Sequence, residues 1–495
     1  MITTFRAALA VTLLAGLYLL VAGFIAAAAA LDFFAATHLD AAAIKAVVAV
    51  NVGALIVLRG AFVIGARRKG QRPGVRVTAR DEPGLWQEVT GLAARVRTRA
   101  PDEIRIVADV NAAVSENTRL LGLWPGQRVM YIGMPLFLSL SVDELRAVLC
   151  HELGHYSGSH TRLGAVTYQG DIALAGTIRQ LRSHATIRRI FMIYARLYFS
   201  VSYAVSRRQE LEADAAAVAV AGRQAAGDAV RKVRASAAAW DYYLNAYCAL
   251  IEPAQARPAN LFAGYYTLLR QPSRQQEFNR AALAAEMRSR YDSHPSLAER
   301  LAAIERLGEP AVTPDPRPAL ALLANPQAAA MATQQTVLTS QALRLPVLEW
   351  PEILARGMTA LRADAVNDVF TAAAQLADLP SATVDTVLWV LATGRSRDLA
   401  DRLRALRWRG DDPQALAAAV VARAFEGLLV QAGRAHWAFS WSDAVTLRDT
   451  SGMPVGAADP VLRAVHEPRQ VGALRDWLAE QGIPLTGRPQ EQVPA

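Results

Sequence analysis

Cysteine and lysine are both scarce in this chain. Its 495 residues hold two cysteines, Cys150 and Cys248. That is too few for a disulfide framework, so a small stapled secreted fold is excluded and a reducing compartment is allowed. Lysine is confined to Lys45, Lys69 and Lys232, so the net charge of +9 is carried almost wholly by arginine. No zinc knuckle, RNA-binding aromatic run or basic helix with interleaved aromatics accompanies that charge, which argues against a nucleic-acid partner. Charge as a whole is short as well, at 20% of residues against 53% hydrophobic, with mean hydropathy +0.16. That balance is more apolar than a soluble average and points toward a membrane. The length implies two or three folded units.

An uncharged stretch runs from Ala7 to Leu31, longer than the roughly 20 apolar residues that a spanning helix needs. Arg6 before it and small residues at its end also suit a signal peptide, but the apolar core of a signal is only about 7–15 residues. A second apolar run, Ala46 to Leu58, resumes from Gly60 to Ala66 after Arg59 and carries Asn51. Arg59 lies near its end, where it could snorkel toward the headgroups. We read residues 1–72 as a transmembrane hairpin with helices over about 7–31 and 44–66, and the lipid bilayer as a partner. The connecting loop offers Asp32, His38, Asp40 and Lys45, whereas Arg67, Arg68, Lys69, Arg72 and Arg76 crowd the exit. The excess of positive charge places that exit, and all that follows, in the cytoplasm, making a multi-pass protein of the cell membrane.

Chemistry concentrates in "AVLCHELGHYSGSHTRL", Ala147–Leu163. Helical periodicity runs through it, and Ser141 with Glu144 reads as a capping box at the helix start. On a helix, His151 and His155 are four residues apart and project from one face, so two imidazoles can reach one ion. Glu152 stands beside the first. This is the HExxH arrangement, in which two histidines hold Zn²⁺, the metal lowers the pKa of a water, and the glutamate is general base. The pattern has three fixed positions and also recurs by chance on amphipathic helices.

The third ligand is not supplied nearby. His160 is one residue short of the histidine position in HExxHxxGxxH, where Thr161 stands, and reads as a helix-end histidine or one that stands behind a ligand. Further on, "SRRQELEADAAAVAVAG" places Glu210 and Asp214 four residues apart on a helix. One of these carboxylates can bind zinc while the other accepts the Nδ1–H of a ligand histidine. The bland alternative is a solvated acidic stripe paired with Arg207 and Arg208, but the Ala- and Val-rich surroundings suit burial. Glu212 points elsewhere.

The pair "AVLCHELGH" and "SRRQELEAD" resembles the HExxH…SRxxExxAD signature of HtpX-like membrane zinc peptidases, whose relatives include CAAX prenyl-protein endopeptidases. The resemblance extends from about Asp102 to Leu307. It implies a gluzincin fold with His151, His155 and Glu210 on one Zn²⁺ per chain, Glu152 as catalytic base and Asp214 behind a ligand histidine. It also implies protein or peptide substrates, membrane proteins among them. "IRIVADVNAAV" reads as a strand ending at Asn111 and Ala112, where the family carries an Asn-Ala pair beside its cleft, and Arg128–Met134 as another strand. An edge strand in such a fold binds substrate backbone. "DSHPSLAERLAAIERLG" resembles the segment closing the family's peptidase domain. Ser296 and Glu299 form a capping box there, His294 before it could stabilise an oxyanion, and Arg300 could meet an acidic group near the site.

The segment Ile190–Val205 is short for a membrane span and contains Arg196, so an amphipathic helix is expected. From Gly308 a proline-rich linker, "GEPAVTPDPRPAL", leads into helical stretches and a short hairpin within "HWAFSWSDAVTLRDTSGMPV". The expected fold is mainly α with a small β-sheet: the hairpin (1–72), a zincin-type metallopeptidase domain (73–308) and a helical accessory domain (309–495). Two rival functions stand beside a quality-control peptidase. One is a CAAX-type processing protease, disfavoured because those relatives enclose the site with more spanning helices. The other is a membrane-tethered adaptor with a structural zinc site, which would need a fourth ligand such as His160 or Cys150.

Overall fold

The computed structural model of the chain describes residues 72–116, 126–156, 185–286 and 295–486, with parts of the N-terminal segment such as 25–34. It divides into two compact units, one formed by Met1–Trp240 with Glu277–Val337 and the other by Asp241–Gln276 with Leu338–Ala495. The described residues are mostly helical, with one four-stranded and one two-stranded sheet.

The first unit carries the four-stranded sheet. Strands β1 (Val75–Val77), β2 (Glu103–Val107), β3 (Ala112–Glu116) and β4 (Arg128–Gly133) lie in the order β1-β2-β4-β3. β2 runs parallel to β4, and the two outer strands are antiparallel to their neighbours. Ile104, Ile106, Met130 and Ile132 are fully buried and form the sheet's contribution to the core. The sequence expectation for this region needs one correction. β2 ends at Val107, a turn follows, and Asn111 leads into the next strand, which opens at Ala112, so the pair does not close the first. The turn is closed by Asn111 N–H donating to the Asp109 carbonyl at 2.9 Å.

Helix α1 (Pro83–Arg95) buries Leu85, Val89 and Leu92 and lies against α3. A short helix α2 (Met134–Ser139) leads into α3 (Val142–Gly154). The start of α3 is fixed as the sequence suggests. Ser141 Oγ accepts from Glu144 N–H at 3.3 Å, and the Glu144 carboxylate accepts from Ser141 N–H at 2.9 Å. That carboxylate also takes Lys232 Nζ at 2.6 Å. Helix α4 (Ala185–Ala221) is continuous over 37 residues. Phe191, Ala195 and Tyr198 form its buried stripe while Arg188, Arg189 and Arg196 are exposed, the amphipathic pattern expected there. After Gly222, in the left-handed region at φ +90°, α5 (Arg223–Ala246) begins.

Helices α3 and α4 pack closely because Gly154 has no side chain. A Cβ there would sit 3.3 Å from both Ala213 Cα and Ala216 Cβ. This contact brings the histidine-bearing end of one helix against the carboxylate-bearing turn of the other.

The proline-rich segment after Gly308 is not a free linker. Val142 N–H donates to the Arg317 carbonyl at 2.8 Å and Ala319 N–H to the Leu140 carbonyl at 2.9 Å, strapping the segment across the start of α3. Asp315 N–H donates to the Asp143 carboxylate. Prolines at 310, 314, 316 and 318 keep the strap extended without losing these bonds, because other residues supply the donors. The compact first unit therefore continues to Val337.

The second unit is helical, as the sequence texture suggests, with the hairpin strands Ala435–Ala438 and Thr446–Asp449 paired antiparallel. Its core gathers Val366, Val369, Leu388, Leu399, Val421, Phe425 and Leu474. Among the described residues, Pro413–Gln431 is the helix long and apolar enough to cross a membrane. Its Ala417, Val420, Val421, Ala424 and Phe425 are buried in that core, so it is a core helix. Most of the expected hairpin over 7–31 and 44–66 lies outside the described residues.

Gly154→Val tests the close helix contact. Overpacking of this kind costs about 1–3 kcal/mol, and the expected result is a lower melting temperature together with reduced metal content. An unchanged melting temperature would show that the interhelical distance is set elsewhere.

Candidate metal centre

His151 lies in the last turn of α3, and His155 caps that helix with right-handed backbone angles. Both rings therefore keep the spacing of a continuous turn, and their Nε2 atoms lie 3.3 Å apart. Glu210 and Asp214, one turn apart on α4, are both buried. Glu210 places Oε2 3.4 Å from His151 Nε2 and Oε1 3.8 Å from His155 Nε2. One ligand atom from each of His151, His155 and Glu210 lies within 4.8 Å of the other two. Two imidazole nitrogens and a carboxylate oxygen are the donors that suit a borderline-soft divalent ion with one position left open.

Asp214 takes the other side of His151. Its Oδ1 accepts from His151 Nδ1 at 3.0 Å, which leaves Nε2 facing His155 and Glu210. The same carboxylate accepts two bonds from Arg300 of helix α6 (Leu297–Glu305), Nη2 at 2.6 Å and Nε at 2.9 Å. The capping box expected at Ser296 and Glu299 is present and fixes where α6 starts. Glu212 is exposed and pairs with Arg208 at 2.8 Å. The acidic stripe is thus split: the exposed member takes the arginine, and the buried members face the histidines.

Electrostatics separate the two rings. Burial works against a charged His151, but the hydrogen bonds from Asp214 and Glu210 outweigh it and raise its pKa to about 9. For His155, burial and then the neighbouring His151 charge push the pKa down to about 4. Asp214 is desolvated, yet its bonds to His151 and Arg300 hold its carboxyl below the ordinary value. Near neutral pH an ion would meet a neutral His155 and would displace a proton from His151, whose Nδ1–H remains tied to Asp214.

Glu152 lines a cavity of about 190 Å³ together with His151, Asp214 and Arg300. Asn111 and Ala112 stand at the start of β3, at the edge of the sheet. The sequence reading left open which strand is the edge; among the described residues β3 lies at a sheet edge, whereas β4 is enclosed by β2 and β3. Cys150 is fully buried and is not part of the ligand cluster. His160 and His294 lie outside the described residues.

Sequence reasoning missed Tyr156, directly after His155. Its hydroxyl donates to the Val114 carbonyl of β3 at 2.7 Å, and the Arg128 guanidinium from β4 covers its ring at 4.8 Å. A tyrosine following a histidine carries no spacing signal, so only the tertiary contact reveals it.

Residues 79–307 match peptidase family M48. This part of the chain is similar to that family. The match takes in α1 and ends just past α6, so it covers strands β2 to β4, the histidine helix and both carboxylates. M48 peptidases are zinc-dependent metallopeptidases acting on proteins or peptides. No curated protein and no solved structure matches the chain.

If Asp214 orients His151, replacing it by alanine weakens metal binding by roughly 10- to 100-fold without removing a ligand. Competition with a chromophoric chelator measures this. Affinity equal to wild type would reduce the Asp214–His151 bond to a packing contact.

Proposed function

We propose that the first unit is a zinc endopeptidase in which His151, His155 and Glu210 hold one ion per chain and Glu152 is the general base. The carrying observation is the convergence of those three ligand atoms while Asp214 occupies the remaining nitrogen of His151. When bound, zinc supplies the Lewis acidity that lowers the pKa of a water and polarises the scissile carbonyl. Glu152, adjacent to His151 and lining the same cavity, takes a proton from the attacking water and later delivers one to the leaving amine. Asp214 and Arg300 hold His151 in one orientation throughout. His294 is kept as an oxyanion-stabilising candidate on its sequence position alone.

Substrate backbone is assigned to β3. Gly133 N–H donates to the Asn111 carbonyl at 2.7 Å, so that carbonyl faces β4 just before the ladder begins. Bonded pairs alternate along such a ladder, so the N–H and C=O of Ala112, paired with Ile132, point away from β4. An extended peptide adding there gains main-chain bonds that tolerate many sequences.

The membrane hairpin of residues 1–72 belongs to the same reading. Three observations support it: the uncharged length of Ala7–Leu31, the exposed apolar Leu19, Phe33 and Phe34, and a 2.6 Å bond from Asn51 of the second run to Asp32, at the start of the connecting loop. With the arginine-rich exit, this reading puts the peptidase unit on the cytoplasmic face, where surplus or damaged membrane proteins are the substrates that we assign. An adaptor with a structural zinc site would need a fourth protein ligand. Cys150 does not supply it.

Elemental analysis and peptide cleavage on detergent-purified protein test the assignment together. Glu152→Gln is expected to keep its zinc and lose roughly 10²–10⁴-fold in turnover, whereas Glu210→Ala loses the zinc itself. Full activity in Glu152→Gln, or retained zinc in Glu210→Ala, would refute the corresponding role.

A further inference from the structure

The cavity beside the metal cluster has walls of an unusual kind. Helix α5 contributes Ala226, Ala229, Val230, Val233 and Arg234, a stripe with the three- and four-residue spacing of one helix face. Ala147 and Val148 of α3 and Ala217 of α4 face it. Every position of the α5 stripe is small and apolar except the last, which is arginine. Arg234 is half-buried, so its charge is partly removed from water.

The cations around Arg234 are matched. On α5, Arg223 pairs with Glu309 at 3.0 Å, Arg231 with Asp228 at 3.2 Å and Lys232 with Glu144 at 2.6 Å. Within the cavity wall, Arg300 is held by Asp214. Arg234 has no carboxylate within salt-bridge distance among the described residues. An arginine in a largely apolar wall offers planar, charge-assisted hydrogen bonding to a carboxylate, strengthened by its partial burial.

We propose that this cavity receives the substrate side chain flanking the scissile bond, and that Arg234 selects an acidic one. The proposal rests on the peptidase reading above, since the cavity shares His151 and Glu152 with the metal site. The alanine and valine walls accept the methylenes of a glutamate, and the guanidinium takes its carboxylate. The volume suits one side chain and not a chain segment. A lysine at the same position would bring a second cation against Arg234.

The test uses the full, zinc-loaded chain in detergent and peptide sets that differ only in the residue on either side of the cleaved bond: Glu, Gln, Leu or Lys. At one of the two positions the wild type is expected to favour Glu over Lys by about tenfold or more in kcat/KM, with Gln between them. Arg234→Glu inverts that order, and Arg234→Lys retains it. Zinc content and melting temperature establish that each variant is folded. Should Arg234→Glu fail to fold, Arg234→Gln replaces it and is expected to level the Glu-to-Lys ratio. A wild type that cleaves the Lys peptides as well as the Glu peptides at both positions overturns the proposal. So does a ratio that stays constant between wild type and the folded Arg234→Glu or Arg234→Gln. In both cases the peptidase reading survives through the Glu152→Gln control. If wild type and Glu152→Gln cleave the peptides equally, or zinc-loaded wild type cleaves none, the peptidase reading falls and this assignment with it.

Discussion

A buried aspartate that cannot be left alone organises the site. Asp214 is 2% exposed, and an ionised carboxylate so far from water must be met by hydrogen-bonding cations. It is met from two directions, by His151 on α3 and by Arg300 on α6. Three helices distant in sequence are thereby tied to one side chain. The closeness of α3 and α4 at Gly154 lets the first bond form, and the capping box at Ser296 sets where Arg300 emerges. Glu210, one turn before Asp214, then reaches the histidines because its helix is already anchored.

Much of this was readable in the sequence because helical spacing converts directly into direction. Four-residue intervals place His151 over His155 and Glu210 over Asp214, and the two capping boxes announce where their helices start. The acidic segment also contained its own discriminator. Arg208 sits four residues before Glu212, so the exposed pair could be told from the buried one, and the structure separates them in that way. Glu210 and Asp214 were fixed as ligand and orienting group only through the family resemblance, since spacing alone left their roles interchangeable.

The misreadings have a common physical origin. A short apolar–polar alternation does not say where a strand stops, so β2 was carried through the turn at Asp109 into what is a separate edge strand. A run of prolines does not say whether it is free or strapped. Residues 309–318 look like a linker, yet their carbonyls and remaining N–H groups pair with the residues at the start of α3. Both errors concern main-chain partners distant in sequence, which composition cannot encode. Tyr156 and Arg234 were passed over for the complementary reason: each matters through what surrounds it, and neither belongs to a spaced pattern.

The bond from Tyr156 to Val114 joins the end of the histidine helix to the sheet edge through a side chain one residue beyond His155. That bond also engages the outward carbonyl of β3 two residues past Ala112. A peptide lying along this edge, in the proposed mode, finds an unshared acceptor at Ala112 and, at Val114, one that Tyr156 already holds, so its alignment along the strand has a mark. The distance from that mark to the histidines is covalent on one side and a single hydrogen bond on the other. The cut would then be located by counting main-chain units from a fixed mark, as a gauge on a workbench sets the length of every piece regardless of the material.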